Sequence, residues 1–127
     1  MLRDARLKFT RELSAKLVIR SVSDAAIRVN DTDYTESIVL TVDDELTIWD
    51  GKPIDDLTEA DFEPVIGTNP EIVLLGTGAS NLFPPRELTF AFARLGIGLE
   101  VMGTAAAART FNVLANEGRR VAAILYL

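Results

Sequence analysis

Gly76-Thr77-Gly78, with Ser80 two residues further on, follows directly on the apolar run Ile72 to Leu75, the placement at which glycine-rich loops cradle phosphates. The rest of a dinucleotide fingerprint is missing. Asn81 takes the sixth position in place of glycine, Leu82-Phe83-Pro84-Pro85 delays the next helix, and no acidic residue ends the following strand to hold a ribose. A tight structural turn is the favoured reading. Downstream, Thr104 opens a helical pattern, where its side chain suits an N-cap and the exposed N–H groups of the first turn could receive a carboxylate or phosphate. The cap is again favoured. Arg109, Asn112 and Asn116, spaced i, i+3, i+7, form a polar helix face, and both readings of it stand: plain solvent exposure or recognition. Glu117 ends that helix against its dipole, and an ion pair with Arg119 or Arg120 is the simple structural account.

The chain has neither cysteine nor histidine. That excludes disulfides, thiol nucleophiles, zinc sites of the Cys/His kind and every Ser-His-Asp triad. Catalysis would fall to carboxylates, Lys, Tyr, Ser or Thr. Asp55, Asp56, Glu59, Asp61 and Glu63 lack the Asp-x-Asp-x-Asp-Gly pattern of a calcium loop and read as solvated helix starts. A carboxylate-dependent hydrolase would need an acid pair in a shared pocket. No catalytic residue, metal site or cofactor is expected.

Elements positioning these residues can be read from periodicity. Leu17 to Arg20 and Ile27 to Val29 read as short strands, with Asn30-Asp31 a turn; Ser37 to Val42 reads as a strand buried on both faces, and Glu45 to Trp49 alternates as a half-buried one. A short helix starts at Thr58, with Asp61 in capping-box position and Leu57 and Phe62 as a staple, and stops at Gly67. From Pro70 the pattern becomes βαβαβ. Strand Ile72 to Leu75 leads to a helix with Pro85 in its first turn, ending near Gly96, with Leu88, Phe92 and Leu95 on one face. Strand Leu99 to Met102, helix Ala105 to Asn116 and strand Val121 to Leu127 follow; Ala105 to Ala108 allow the helix a close approach to the sheet. Strands joined by helices in this way pair in parallel, which brings the Gly76 to Ser80 loop and Thr104 to one sheet edge, the usual ligand side of open α/β sheets.

These residues fit one domain spanning 1–127, with 1–13 as a frayed arm or first strand. The fold class expected is three-layer α/β, N-terminal antiparallel strands followed by the βαβαβ unit in a mixed sheet. Net charge is −6, divided as +4 over residues 1–20, −12 over 21–71 and +2 over 72–127, a field that disfavours nucleic acid. Mean hydropathy is +0.19, yet no apolar run approaches the roughly 18 residues that would span a bilayer. Arg3, Arg6, Lys8 and Arg11 alternate with Leu2, Leu7, Phe9 and Leu13 in faint imitation of a presequence, against which Asp4 and Glu12 weigh. A cytoplasmic protein is expected, mitochondrial only if that N-terminus is a presequence.

The stretches Pro70 to Gly78, Gly98 to Met102, Thr104 with Arg109 to Asn112, and Glu117 to Ala123, together with a looser match through Ile27 to Asn30 and Tyr34 to Leu40, resemble a family of small α/β domains. It includes the third assembly factor of mitochondrial respiratory complex I, an adipogenesis-associated vertebrate protein and many uncharacterised bacterial and archaeal proteins. The resemblance implies a three-layer fold with a mixed sheet and no established enzymatic activity or cofactor. It also implies a protein partner, such as a respiratory-complex subunit or assembly intermediate. Gly103 and Ala108 replace the acidic residue and the cysteine of many relatives, so roles resting on those side chains do not transfer. The expectation is a non-catalytic interaction or assembly protein using Gly76, Thr77, Gly78, Ser80, Thr104, Arg109, Asn112, Glu117 and Arg119. The alternative is a module that binds a small anionic metabolite at the edge near Gly76 and Thr104.

Overall fold

The computed structural model describes residues 16–50, 52–79 and 82–127; the arm expected over residues 1–13, and Ser80, lie outside the described residues. Two sheets are present. Strands β1 (Ile19–Val22), β2 (Ile27–Val29) and β3 (Thr32–Tyr34) pair antiparallel in that order, with β2 and β3 joined through Asn30 at φ 52. The larger sheet contains β4 (Ile38–Leu40), β5 (Leu46–Ile48), β6 (Ile72–Gly76), β7 (Gly98–Met102) and β8 (Val121–Leu125), in the order β5-β4-β8-β6-β7. Strands β7 and β8 flank β6 in parallel, whereas β4 pairs antiparallel with β8 and β5. The mixed sheet expected from the sequence is therefore present, but β1 to β3 stand apart from it as a second sheet.

Alternation along the central strands divides the core in two. Leu74 of β6 and Val121, Ala123 and Leu125 of β8 face Phe111, Ala107 and Ala108 of helix α3 (Thr104–Asn116), which also meets Ile19 and Ile27. Val73, Leu75, Ala122 and Ile124 face the other way, onto Leu88 and Phe92 of α2 (Arg86–Leu95) and onto Phe62. Both faces of the strands are covered, which is why their sequence is apolar without interruption. Phe62 and Phe92 meet edge to face, ring centres 5.3 Å apart. Leu95, expected on the buried face of α2, is 45% exposed in the last residue of the helix, which Gly96 then ends in the left-handed conformation.

The helix expected from Thr58 forms as two short pieces. A 3₁₀ turn, Glu59–Phe62, precedes the single turn α1 (Glu63–Ile66). Pro64 has no N–H with which to bond back to residue 60, so a continuous α-helix through this point is not available. The start is nonetheless fixed as expected: the Thr58 N–H donates to the Asp61 carboxylate at 2.8 Å, and Lys52 Nζ reaches the same carboxylate at 2.9 Å. A second 3₁₀ turn, Ile54–Asp56, precedes it and buries Ile54.

Candidate functional site

Parallel pairing of β6 with β7 and β8 sets Gly76 beside Met102 and Leu125, so all three strands end at one rim. The Thr77 N–H donates to the Met102 carbonyl at 2.9 Å, and Gly78 turns the chain at φ +79. Helix α3 begins directly above. Its N-cap is Gly103, not Thr104; Thr104 is the first helical residue. Rather than capping its own helix, the Thr104 hydroxyl donates to the Tyr126 carbonyl at 2.6 Å and accepts from the Gly78 N–H at 2.7 Å. Gly78 returns the contact, its carbonyl accepting from the Thr104 N–H at 3.0 Å. A buried threonine thus staples the glycine turn, the helix start and the end of β8 together.

Close approach explains Gly76. A Cβ at that position would stand 2.9 Å from Thr104 Cα, closer than real side chains come, and a tight 3.0 Å from its hydroxyl. The small residues Ala107 and Ala108, both buried, let the rest of the helix follow the sheet at the same short distance.

Beneath the staple lies an open cavity of about 610 Å³. Three separate segments wall it: Val22 to Asp24 after β1, Pro53 to Asp55, and the rim itself with Ala79, Leu82, Ala105 and Leu127. Its hydroxyls are committed within the fold. Ser23 Oγ accepts from the Ala25 and Ala26 N–H groups, both at 3.2 Å. The Tyr126 phenol accepts from Trp49 Nε1 at 2.8 Å and donates to the Lys52 carbonyl at 2.5 Å. Burial pushes that phenol above the ordinary tyrosine range, with the Trp49 hydrogen bond acting in the opposite sense. Asp24 and Asp55 are exposed and make no hydrogen bond or ion pair with a described residue.

Other residues singled out from the sequence lie elsewhere. Asn112 does not offer a recognition face: its Oδ1 accepts from the Ile19 N–H at 3.0 Å and its Nδ2 donates to the Ile19 carbonyl at 2.8 Å, so it clamps β1 to the helix. Arg109 is exposed one turn earlier, beside β1. Glu117 and Arg119 stand at the far end of α3, about 20 Å along a 13-residue helix from Thr104 and on the opposite rim. Arg119 does not pair with Glu117. Its Nε donates to Glu71 at 2.9 Å, which holds that carboxyl below the usual range, and Arg120 Nε donates to the Asn69 carbonyl at 2.9 Å. The structure therefore unites Gly76, Thr77, Gly78 and Thr104 and separates them from Arg109, Asn112, Glu117 and Arg119.

Asp24, Asp55 and Ala105, which shape the cavity, were not distinguishable in the sequence. Asp55 sits in an acidic block that reads as solvated caps, and Asp24 is one turn residue among several. Among the described residues no group of three or more acidic side chains could hold a metal ion, and no helix is long and apolar enough to cross a membrane.

A family of proteins of unknown function, DUF498/DUF598, matches residues 19–126. The chain is 33% identical over 100 residues to the 13 kDa major membrane protein of Francisella tularensis subsp. holarctica, covering 76% of this chain and 80% of that protein. A solved Xanthomonas campestris structure superposes with a TM-score of 0.81 at 37% identity, over 94% of this chain and 92% of that one. A structure described as an outer membrane protein of Bartonella henselae gives a TM-score of 0.74 at 31% identity, over 87% and 94% of the two chains. Because that family match runs through most of the chain, from residue 19 to residue 126, this chain belongs to the DUF498/DUF598 family.

Proposed function

We propose that the protein is a non-catalytic interaction module of assembly-factor type, holding a partner protein against the open cavity where β6, β7 and β8 end. The observation that supports this reading most is the commitment of hydroxyls lining the cavity, Ser23, Thr104 and Tyr126 among them, to bonds within the fold. A catalytic hydroxyl is activated by a hydrogen bond to a base, whereas these three bond to backbone groups and to the Trp49 indole. Asp24 and Asp55 share the cavity, but an acid pair for hydrolysis needs one carboxyl kept protonated by burial, and both are exposed. The walls that remain are mainly apolar. Such a surface suits a side chain delivered by another protein.

The resemblance to the complex I assembly factor points the same way, toward a partner such as a respiratory-complex subunit or an assembly intermediate. Membrane names carried by the Francisella and Bartonella relatives suit a partner embedded in a membrane, met at its surface by a chain without a spanning helix among its described residues. The anionic-metabolite alternative is weakened by two carboxylates, and no cation, among the described residues that line the cavity.

The test is affinity capture of the tagged full chain from its native host. Wild-type protein should recover a stoichiometric partner, and Ala105→Trp, which fills the cavity from an exposed helical position, should lose it while unfolding at an unchanged temperature. A partner recovered equally by both proteins would refute the surface assignment. A metabolite that stabilises wild type by about 2.7 kcal/mol at 100 times its dissociation constant would favour the alternative.

A further inference from the structure

From the charge around this cavity we infer its ligand class: a segment of a partner polypeptide in which an apolar side chain stands next to lysine or arginine. The inference rests on the interaction reading above and specifies it. Asp24 and Asp55 reach the cavity from different segments, one after β1 and one in the 3₁₀ turn, and among the described residues no lysine or arginine lines it. Neither carboxylate is neutralised by a described neighbour. The contrast with the opposite rim is direct. There the cavity of about 530 Å³ is lined by Lys16, Arg119 and Arg120 with one acid, Asp44, and its two arginines are already held by Glu71 and by backbone carbonyls. The acidic cavity thus carries two carboxylates unpaired among the described residues and no described cation, whereas the opposite one mixes Lys16 with Asp44.

Apolar and acidic features coincide there. Ile54 is buried at the base, whereas Leu82, at 54% exposure, and Leu127, at 37%, leave the mouth wide. A volume of about 610 Å³ lies within the usual range for ligand sites, but such sites enclose most of a small molecule, and this one is open. A polypeptide resolves the mismatch. One apolar side chain fills the base over Ile54, the flanking cation meets Asp24 or Asp55, and the partner's surrounding surface closes over Leu82 and Leu127. Residues 21–71 carry −12, so the field outside the cavity steers the same sign of ligand toward it.

The probe is a synthetic pentapeptide, acetyl-Leu-Arg-Leu-Lys-Leu-amide, titrated into the isotope-labelled full chain while backbone amide shifts are followed. Its charge-reversed counterpart, with Glu at both basic positions, and spermidine are the comparison arms. The basic peptide should shift the amides of Ala79, Ala105 and Leu127, and the acidic peptide should not. Asp24→Lys and Asp55→Lys should each weaken binding roughly two- to fivefold, as for exposed ion pairs, and added salt should erase that difference. Equal binding of the two peptides, or shifts clustered at Arg119 and Arg120, would overturn the inference. So would spermidine matching the peptide at the same amides, since a small cation would then suffice. If the host partner depends on Ala105 but is captured equally by the Asp24→Lys/Asp55→Lys double variant, the charge inference fails and the interaction reading stands. If the peptide binds at the rim while no partner depends on Ala105, the interaction reading fails alone.

Discussion

Replacing Thr104 by valine removes one hydroxyl and keeps the shape of a buried side chain that is 2% exposed. Two hydrogen bonds go with it, leaving the Gly78 N–H and the Tyr126 carbonyl without their partner. An abandoned polar group costs about 1–3 kcal/mol, and both of these are only part-buried, so Thr104→Val should lose about 2–3 kcal/mol. For a chain of this size that corresponds to roughly 10 °C in Tm. Thr104→Ser keeps the hydroxyl and sacrifices one methyl, costing about 1 kcal/mol. Urea denaturation of the three proteins measures the difference directly, and amide exchange at Gly78 localises it: faster in Thr104→Val, near wild type in Thr104→Ser. Valine as stable as serine would show that the staple contributes nothing, and that the rim is held by backbone pairing alone.

Three further perturbations probe the same framework. Gly76→Ala should destabilise by about 1–3 kcal/mol, because the added methyl meets the Thr104 backbone 2.9 Å away and not a flexible side chain; chemical denaturation checks it. Asn112→Ala, which releases both polar groups of Ile19, should cost about 1–3 kcal/mol and raise amide exchange across β1 more than across β6, whereas Arg109→Ala should stay within about 0.5 kcal/mol of wild type. The Lys52 ammonium and the Thr58 N–H hold the Asp61 carboxyl below its ordinary range. The folded state therefore binds that proton less readily than the unfolded chain. This contribution is full above the ordinary aspartate value near ~4 and is lost as pH falls through the lower folded value. Lys52→Met should flatten the acid limb of a stability-against-pH curve, and an unchanged limb would contradict the assignment.

Much of the large sheet is legible in the sequence because its strands are buried on both faces, which writes Ile72 to Leu75 and Val121 to Leu125 as unbroken apolar runs. The one-rim placement of Gly76 and Thr104 follows from the strand-helix alternation by chain topology alone. Strand β3 is not legible: Thr32-Asp33-Tyr34 is polar, and it pairs only because the turn at Asn30 folds it back on β2. Nor is the separation of β1 to β3 into their own sheet, whose position against α3 is held by Asn112 meeting Ile19 across 93 residues. Local pattern shows that Thr104 starts a helix but cannot show where its hydroxyl points, because Gly78 and Tyr126 come from distant segments. The same limit hid the cavity, whose three walls are far apart in the chain.

Site-specific photo-crosslinking in the native host examines the rim most directly. A benzophenone side chain placed at Leu82, at the open mouth of the cavity, and separately at Val113, exposed near the far end of α3, samples the two rims. One discrete adduct with a single partner protein is predicted from position 82 and none from 113, and the crosslink should fail when Asp24→Lys and Asp55→Lys are introduced together. Adducts of equal yield from both positions, or from 113 alone, would contradict it.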